Sequence, residues 1–145
     1  MTIDDRRLRC PECGGALRVE RHALVCLGCG RAYPVGAGVA VLYPAALGEV
    51  ERAEITYWDQ RGRAASARLD ENHRENYVAL DRWGMYAYLD SVRQLDPAAP
   101  ILEIGAGTVP KSLYLALYEG FHDVTVSDIS PRTAACASGW ASQTV

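Results

Sequence analysis

The chain has 145 residues, which is enough for about one ordinary domain. Its apolar fraction of 49% and charged fraction of 23% are typical of soluble globular proteins. A net charge of −3 gives no general basis for binding nucleic acid or an anionic membrane, although it does not exclude nucleic acid. We expect a cytoplasmic protein, because no apolar run approaches the roughly 18 residues of a membrane span and the N-terminus lacks a signal core.

Four cysteines form two Cys-x-x-Cys pairs near the N-terminus: Cys10, Cys13, Cys26 and Cys29. Zinc prefers four soft ligands in a tetrahedron, and four thiolates meet that preference. Disulfides or a redox site are the alternatives, but a reducing compartment and the lack of a thioredoxin-like βαβ pattern favour a metal. Because cysteine fills every position, we predict a structural zinc that replaces a core which a segment of about 35 residues cannot build alone. His22 is a further candidate ligand, with a place in a surface turn as the simpler interpretation.

Short β-prone runs surround the second cysteine pair. Residues 16–19 and 23–25 predict two strands joined by a turn, and residues 39–43 offer a third strand. Together with the cysteines, this pattern predicts a zinc ribbon over residues 1–44.

The ribbon sequence also carries a family resemblance. It contains Leu8-Arg-Cys-Pro-Glu-Cys, then Leu24-Val-Cys-Leu-Gly-Cys-Gly-Arg-Ala-Tyr-Pro-Val, then Gly38-Val-Ala-Val-Leu. These stretches resemble the small zinc-ribbon domain that activates methyltransferases as a separate subunit and that also occurs fused to the N-terminus of bacterial methyltransferases. The resemblance implies a protein partner that docks on the ribbon.

Residues 45–99 predict a helical connector. Apolar residues at helical spacings indicate a helix that begins near Val50 and that Gly62 weakens or ends. We predict a loop or weak helix over residues 61–76 and a stronger helix over residues 75–95. Aromatic side chains are dense in this connector, and helical-period aromatics favour core packing, with a lid over a substrate pocket as the alternative. They are Tyr57, Trp58, Tyr77, Trp83, Tyr86 and Tyr88.

The last segment of the chain predicts a βαβ unit. Residues 100–104 are an apolar run typical of a fully buried parallel strand. Pro110 fits the first turn of a helix that Gly120 ends, and Leu113, Ala116 and Leu117 would form its buried face. Residues 123–128 predict the second strand, and residues 131–138 predict a weak helix.

A glycine turn joins the first strand of this unit to its helix. Gly105 and Gly107 have no Cβ, so a ligand can approach the backbone at the carboxyl end of the sheet. Asp128 ends the neighbouring strand, where a carboxylate can accept hydrogen bonds from ribose hydroxyls. This geometry alone does not distinguish NAD from other adenosine cofactors.

Two motifs narrow the cofactor. Glu103-x-Gly-x-Gly107 resembles motif I of the class I S-adenosylmethionine-dependent methyltransferases, and Val126-Ser-Asp-Ile-Ser130 resembles the motif that ends their second strand. The resemblance implies that Glu103 orients the loop and the methionine amino group, that Gly105 and Gly107 lie beneath the cofactor, and that Asp128 holds the ribose. Val109 stands where members of this family usually carry a third glycine.

The predicted architecture is therefore α/β, with a zinc ribbon over residues 1–44, a helical connector or lid over 45–99, and an incomplete Rossmann-like unit over 100–145. We expect the N-terminal part of a ribbon-fused methyltransferase, with little turnover alone because complete domains of that family have further strands. The alternative is a non-catalytic adaptor that docks a methyltransferase or RNA. The exposed sheet edge offers a second route to a protein partner. The methyl acceptor and the catalytic residues stay unassigned.

Overall fold

The computed structural model describes residues 3–69, 90–108 and 111–136, excluding the side chains of residues 64–69. It is a mixed α/β structure with an antiparallel N-terminal sheet, helices and a small parallel pair of strands. The elements in chain order are a 3-10 turn (Asp5–Arg7), β1 (Leu17–Glu20), β2 (Ala23–Cys26), β3 (Ala32–Gly36), β4 (Val39–Ala40), α1 (Glu49–Leu69), β5 (Ile101–Ile104), α2 (Lys111–Tyr118) and β6 (Val124–Ser127). Residues 90–92 and 131–136 are also helical. No helix within the described ranges is long and apolar enough to cross a membrane.

The N-terminal sheet has the order β1-β2-β3-β4, and all its neighbouring strands are antiparallel. Its buried core consists of Cys10, Leu17, Leu24, Cys26 and Tyr33. The prediction of a third strand at residues 39–43 is wrong in detail. The third strand is Ala32–Gly36, and only Val39–Ala40 pairs beyond it. Pro34 sits inside β3 without an N–H to donate, but its carbonyl accepts from the Val41 amide at 3.0 Å.

Helix α1 does not end at Gly62, and of the two structures predicted for residues 61–76 the helix, not the loop, is present as far as Leu69. Gly62 is buried, and a Cβ added there would lie 3.1 Å from Thr133 Oγ1. The glycine therefore marks a close approach between α1 and the helical segment 131–136 rather than a helix stop.

The aromatic side chains of α1 are not core residues. Tyr57 is 50% exposed and Trp58 is 41% exposed, and the two rings meet edge to face with centroids 5.1 Å apart. The prediction of core packing is therefore wrong for these two residues. The other four aromatic residues of the connector lie outside the described residues, as does most of the helix predicted over 75–95. The described end of that helix stops at Val92, three residues earlier than predicted.

Strands β5 and β6 form a parallel pair in which Ile101 is in register with Val124. Helix α2 packs on the pair, and the buried core is Val92, Leu115 and Phe121. The prediction of a fully buried strand is wrong, since Leu102 is 62% exposed and Ile104 is 79% exposed. Successive side chains of a strand point to opposite faces, and among the described residues only one face of this pair is covered.

The buried face of α2 is shifted from the predicted one. Leu113 is buried as predicted, but Leu115 is fully buried, while Ala116 and Leu117 are half-buried. The helix ends as predicted just before Gly120, and the Phe121 amide closes the end by donating to the Leu115 carbonyl at 3.2 Å.

Side-chain contacts within the described residues join the N-terminal part of the chain and α1 to the residues that flank β6. Arg7 makes a two-pronged ion pair with Asp123, with N–O distances of 2.6 and 2.5 Å. The Tyr43 hydroxyl donates to the Ile129 carbonyl. The Ser130 hydroxyl donates to Asp59 on α1. The residues that follow β6 therefore receive contacts from both earlier parts of the chain.

Candidate metal centre and glycine loop

The four cysteines of the N-terminal pairs converge on one point, with their sulfur atoms all within 4.8 Å of one another. The Sγ atoms of Cys10 and Cys29 are 3.7 Å apart, and those of Cys13 and Cys26 are 3.5 Å apart. Four sulfurs around a zinc ion at about 2.3 Å would be separated by about 3.8 Å. The cluster is therefore consistent with a structural zinc ion in tetrahedral coordination.

Tight backbone turns aim each pair of sulfurs at this point. The amide of Gly14 donates to the Cys10 carbonyl at 2.8 Å, and the amide of Gly30 donates to the Cys26 carbonyl at 3.0 Å. The Cys26 sulfur also accepts from the amides of Gly28 and Cys29, at 3.3 and 3.4 Å. Such N–H donors stabilise thiolate charge and fix the orientation of a metal ligand.

The four thiols cannot all ionise easily without a cation between them. Burial raises the pKa of Cys10, but the Tyr33 hydroxyl and nearby backbone amides outweigh it and bring that pKa down to about 6. The Gly15 amide lowers the pKa of Cys13, but the neighbouring sulfurs of Cys26 and Cys29 outweigh it and raise that pKa to about 12. Once one sulfur is ionised its neighbours resist ionisation, and a bound dication removes that repulsion.

Tyr33 is a site residue that the sequence analysis missed. Its side chain is 2% exposed, and its hydroxyl lies 3.0 Å from Cys10 Sγ, within hydrogen-bond distance. Burial and the neighbouring Cys10 raise the pKa of Tyr33, so the hydroxyl keeps its proton and can donate to a thiolate. Arg31 lies over the Tyr33 ring at 5.5 Å and pairs with Glu12 at 3.2 Å. The Tyr-Pro step is visible in the sequence, but its spacing does not show that the hydroxyl reaches a sulfur.

His22 takes no part in the cluster. It lies exposed in the turn between β1 and β2, which agrees with the simpler of the two interpretations. Cys136 is also separate from the cluster, half-buried in the helical segment 131–136.

The glycine turn lies at the carboxyl end of β5, next to Asp128. Gly105 and Gly107 have φ angles of +66° and +67°, and no atom of the described residues lies within 4 Å of the position of a Cβ at either residue. The Gly107 amide donates to Asp128 Oδ2 at 2.9 Å. The structure thus brings Gly105, Gly107 and Asp128 together at one edge of the sheet, and the described residues leave space beside the two glycines.

Glu103 lies half-buried on β5 and binds the start of α2. Its carboxylate accepts from the amide of Lys111 at 3.1 Å and from that of Ser112 at 2.8 Å, and also from the Ser112 hydroxyl. A carboxylate in this place satisfies amides of the first helical turn and complements the helix dipole. Glu103 therefore anchors the helix that follows the loop. Val109 and Pro110 lie outside the described residues.

A comparison with protein families identifies the N-terminal part of the chain. Residues 8–38 match the family model described as Trm112p-like protein. The matched segment contains all four clustered cysteines and ends before α1 and the parallel pair. No curated protein and no solved structure matches the chain. The chain therefore has an N-terminal Trm112p-like zinc-binding domain that holds a four-cysteine cluster.

Proposed function

We propose that the chain is an adaptor that holds a structural zinc ion and docks a methyltransferase protein through its N-terminal ribbon. One observation carries the proposal: the segment that matches Trm112p-like proteins, residues 8–38, is the segment whose four cysteine sulfurs converge. Ribbons of this type activate methyltransferases as separate subunits, so the partner would supply the catalytic site.

The zinc has a structural role in this proposal. Cys10, Cys13, Cys26 and Cys29 supply four thiolates, which complete a tetrahedron and leave no position for water or substrate. Cys10 and Cys26 also belong to the buried core of the sheet, so metal binding and folding of the ribbon are one event. The docking surface would then need the metal for its folding, but the metal itself would not contact the partner.

Affinity capture with the tagged, zinc-loaded chain tests the adaptor function. We expect a methyltransferase, identified by mass spectrometry, to be recovered in near-equal amount with the bait, and nuclease treatment to leave it bound. The variant Cys26→Ser should lose both zinc and partner, whereas Cys136→Ser, which changes the cysteine outside the cluster, should keep both. Recovery of no methyltransferase, or equal recovery by the Cys26→Ser variant, would contradict the proposal. Loss of the partner on nuclease treatment would indicate RNA docking instead.

A second candidate function is binding of S-adenosylmethionine by β5, α2 and β6, here called the parallel unit, as part of a methyltransferase domain. It is supported by the space that the described residues leave beside Gly105 and Gly107 and by the position of Asp128 next to that loop. The Asp128 carboxylate already accepts from two backbone amides, but each carboxylate oxygen can accept further hydrogen bonds from a ribose. Glu103, whose carboxylate binds the first residues of α2, would hold the loop in the conformation that binds the cofactor.

Calorimetric titration of the chain with S-adenosylmethionine tests this second candidate. We expect measurable binding that Gly107→Ala weakens, because a side chain at a φ of +67° strains the loop. Gly36→Ala is the matched control, since that glycine also has open space around it but no positive φ. If the unmodified chain does not bind S-adenosylmethionine, this second candidate function fails and the adaptor function remains.

A further inference from the structure

Ser130 lies fully buried directly after β6, at the point where the three parts of the chain meet. Its hydroxyl donates to Asp59 of α1 and accepts from the Thr133 amide at 3.1 Å. Its own amide donates to Asp128 Oδ1 at 2.9 Å. Ser130 therefore donates both of its hydrogen bonds to carboxylates. Its hydroxyl donates to Asp59 on α1, and its amide donates to Asp128 beside the glycine loop.

The hydrogen bonds continue from Asp128 to the loop itself. The second carboxylate oxygen of Asp128 accepts from the Gly107 amide at 2.9 Å. Asp59 is therefore linked to Gly107 by three hydrogen bonds that pass through Ser130 and Asp128. Each link has a charged acceptor, and such bonds are about twice as strong as neutral ones.

The end of the ribbon is placed against the same residues. Tyr43 donates its hydroxyl to the Ile129 carbonyl, which belongs to the peptide that carries the Ser130 amide. Burial raises the pKa of Tyr43, and the negative charges of Asp59 and Asp128 raise it further. The orientation of the peptide between residues 129 and 130 is thus fixed from both of its ends.

The geometry points to Asp59 and Ser130 as positioning residues for Asp128 and the glycine loop. The Ser130 hydroxyl donates to Asp59, and the hydroxyl oxygen accepts from the Thr133 amide. Because these two bonds fix Ser130, its backbone N–H is held towards Asp128. Asp128 is then held in the orientation that binds Gly107. Helix α1 is in this way part of the candidate cofactor site, through the contact of Asp59 with Ser130. The ligand of that site rests on the second candidate function, whereas the positioning itself is a property of the chain without ligand.

Hydrogen exchange of single backbone amides in the full chain tests the positioning. In Asp59→Ala, the Gly107 amide should exchange about tenfold faster, which corresponds to the loss of one charge-assisted hydrogen bond of the three that link Asp59 to Gly107. The Ile101 amide, which donates to the Asp123 carbonyl at the other end of β5, should keep its rate. Asp59→Asn keeps an acceptor oxygen and should restore part of the Gly107 protection. Glu54→Ala is the matched control, because Glu54 is an acid of the same helix that binds only the Trp58 ring nitrogen among the described residues.

Two results would overturn the inference. Unchanged Gly107 exchange in Asp59→Ala and Ser130→Ala would show that Asp59 only holds α1 in place. Equal acceleration of Gly107 and Ile101 would show general loosening of the parallel unit. Titration with S-adenosylmethionine separates this result from the cofactor proposal: if the unmodified chain binds it, Asp59→Ala should weaken binding about tenfold and Glu54→Ala should not. If the unmodified chain does not bind it, the cofactor proposal fails and the exchange experiment still decides the positioning.

Discussion

The ribbon and the parallel unit each have a small hydrophobic core, but the two cores are completed in different ways. In the ribbon, two of the five core residues are the cysteines Cys10 and Cys26, so the candidate metal site and the hydrophobic core are one structure. In the parallel unit, the described residues cover one face of the sheet, and Leu102 and Ile104 are exposed on the other. A metal can complete a small core from within, whereas a two-stranded parallel sheet needs further protein to cover it.

Removal of the zinc should have the largest effect and should be confined to the ribbon. A structural zinc contributes about 10–16 kcal/mol of apparent binding free energy, and that energy is folding energy for the segment that binds it. We expect Cys26→Ser to lose zinc and to lose amide protection in β1 and β2, while the Leu115 amide in α2 keeps its protection. Elemental analysis and hydrogen exchange measure the two effects, with Cys136→Ser as the control. A Cys26→Ser variant that keeps its ribbon protection would show that the apolar core suffices without metal.

A matched pair of core truncations tests whether zinc binding depends on the ribbon core alone. Leu24 in the ribbon and Leu115 in the parallel unit are both fully buried, and Leu→Ala at such a site lowers the free energy of unfolding by about 2–5 kcal/mol. The Leu24→Ala variant should also bind zinc more weakly, because its folding and metal binding are coupled. The Leu115→Ala variant should bind zinc normally. Denaturant unfolding and a zinc competition titration measure the two quantities, and equal zinc affinities in the two variants would contradict the separation.

The metal site could be predicted from the sequence because its chemistry is local. The spacing of Cys10, Cys13, Cys26 and Cys29 alone predicts which side chains meet, and the structure brings their sulfurs together. Strand β3 could not be predicted in the same way, because Pro34 lies within it and a proline argues against a strand. The hydroxyl of Tyr33 also escapes prediction, since its contact with Cys10 depends on the pairing of β2 with β3.

The parallel unit shows where local pattern stops being sufficient. Its two strands and the placement of Asp128 beside the glycine turn follow from the apolar runs and from the common edge at which parallel strands end, whereas the hydrogen bond from the Gly107 amide to Asp128 does not. The exposure of Ile104 does not follow, because an apolar run predicts a strand without showing what covers each face. Gly62 shows the same limit: a glycine in a helical pattern suggests a helix end, and only its approach to Thr133 reveals a packing role.

Loss of the Tyr33 hydroxyl should weaken the metal site without unfolding the ribbon. Tyr33→Phe removes the donor that lies 3.0 Å from Cys10 Sγ and keeps the ring in the core. Changes to such supporting hydrogen bonds cost about 10- to 100-fold in metal affinity. Zinc competition should show that loss, and cobalt substitution should show a shifted thiolate-to-metal absorption band. An unchanged affinity together with an unchanged band would show that the hydroxyl is only a core group.

One substitution should stabilise the junction between α1 and the helical segment 131–136. Thr133 is 2% exposed, and its Oγ1 has no hydrogen-bond partner among the described residues. Thr133→Val removes this buried hydroxyl at nearly constant shape and should raise the free energy of unfolding by about 1 kcal/mol. Thr56→Val is the control, because the Thr56 hydroxyl is exposed and donates to the Arg52 carbonyl at 2.8 Å. A Thr133→Val variant that is less stable than the parent would indicate that the hydroxyl has a partner.

The ion pair between Arg7 and Asp123 should have the smallest effect, but it tests whether the two regions are coupled at all. Arg7 holds the pKa of Asp123 below its ordinary value by hydrogen bonding, so the ionised pair stabilises the folded chain above the unfolded-state pKa of about 3.9. That contribution is lost as the pH falls through the lower pKa of the folded state. Because both side chains are partly exposed, the effect should be small and should diminish with added salt. Asp123→Asn should flatten the acid side of the stability profile, whereas Asp90→Asn, which removes an acid 3.9 Å from Arg93, should leave the contact with the ribbon intact. If Asp123→Asn leaves the profile unchanged in low salt, the ribbon and the parallel unit are joined only at the residues that follow β6.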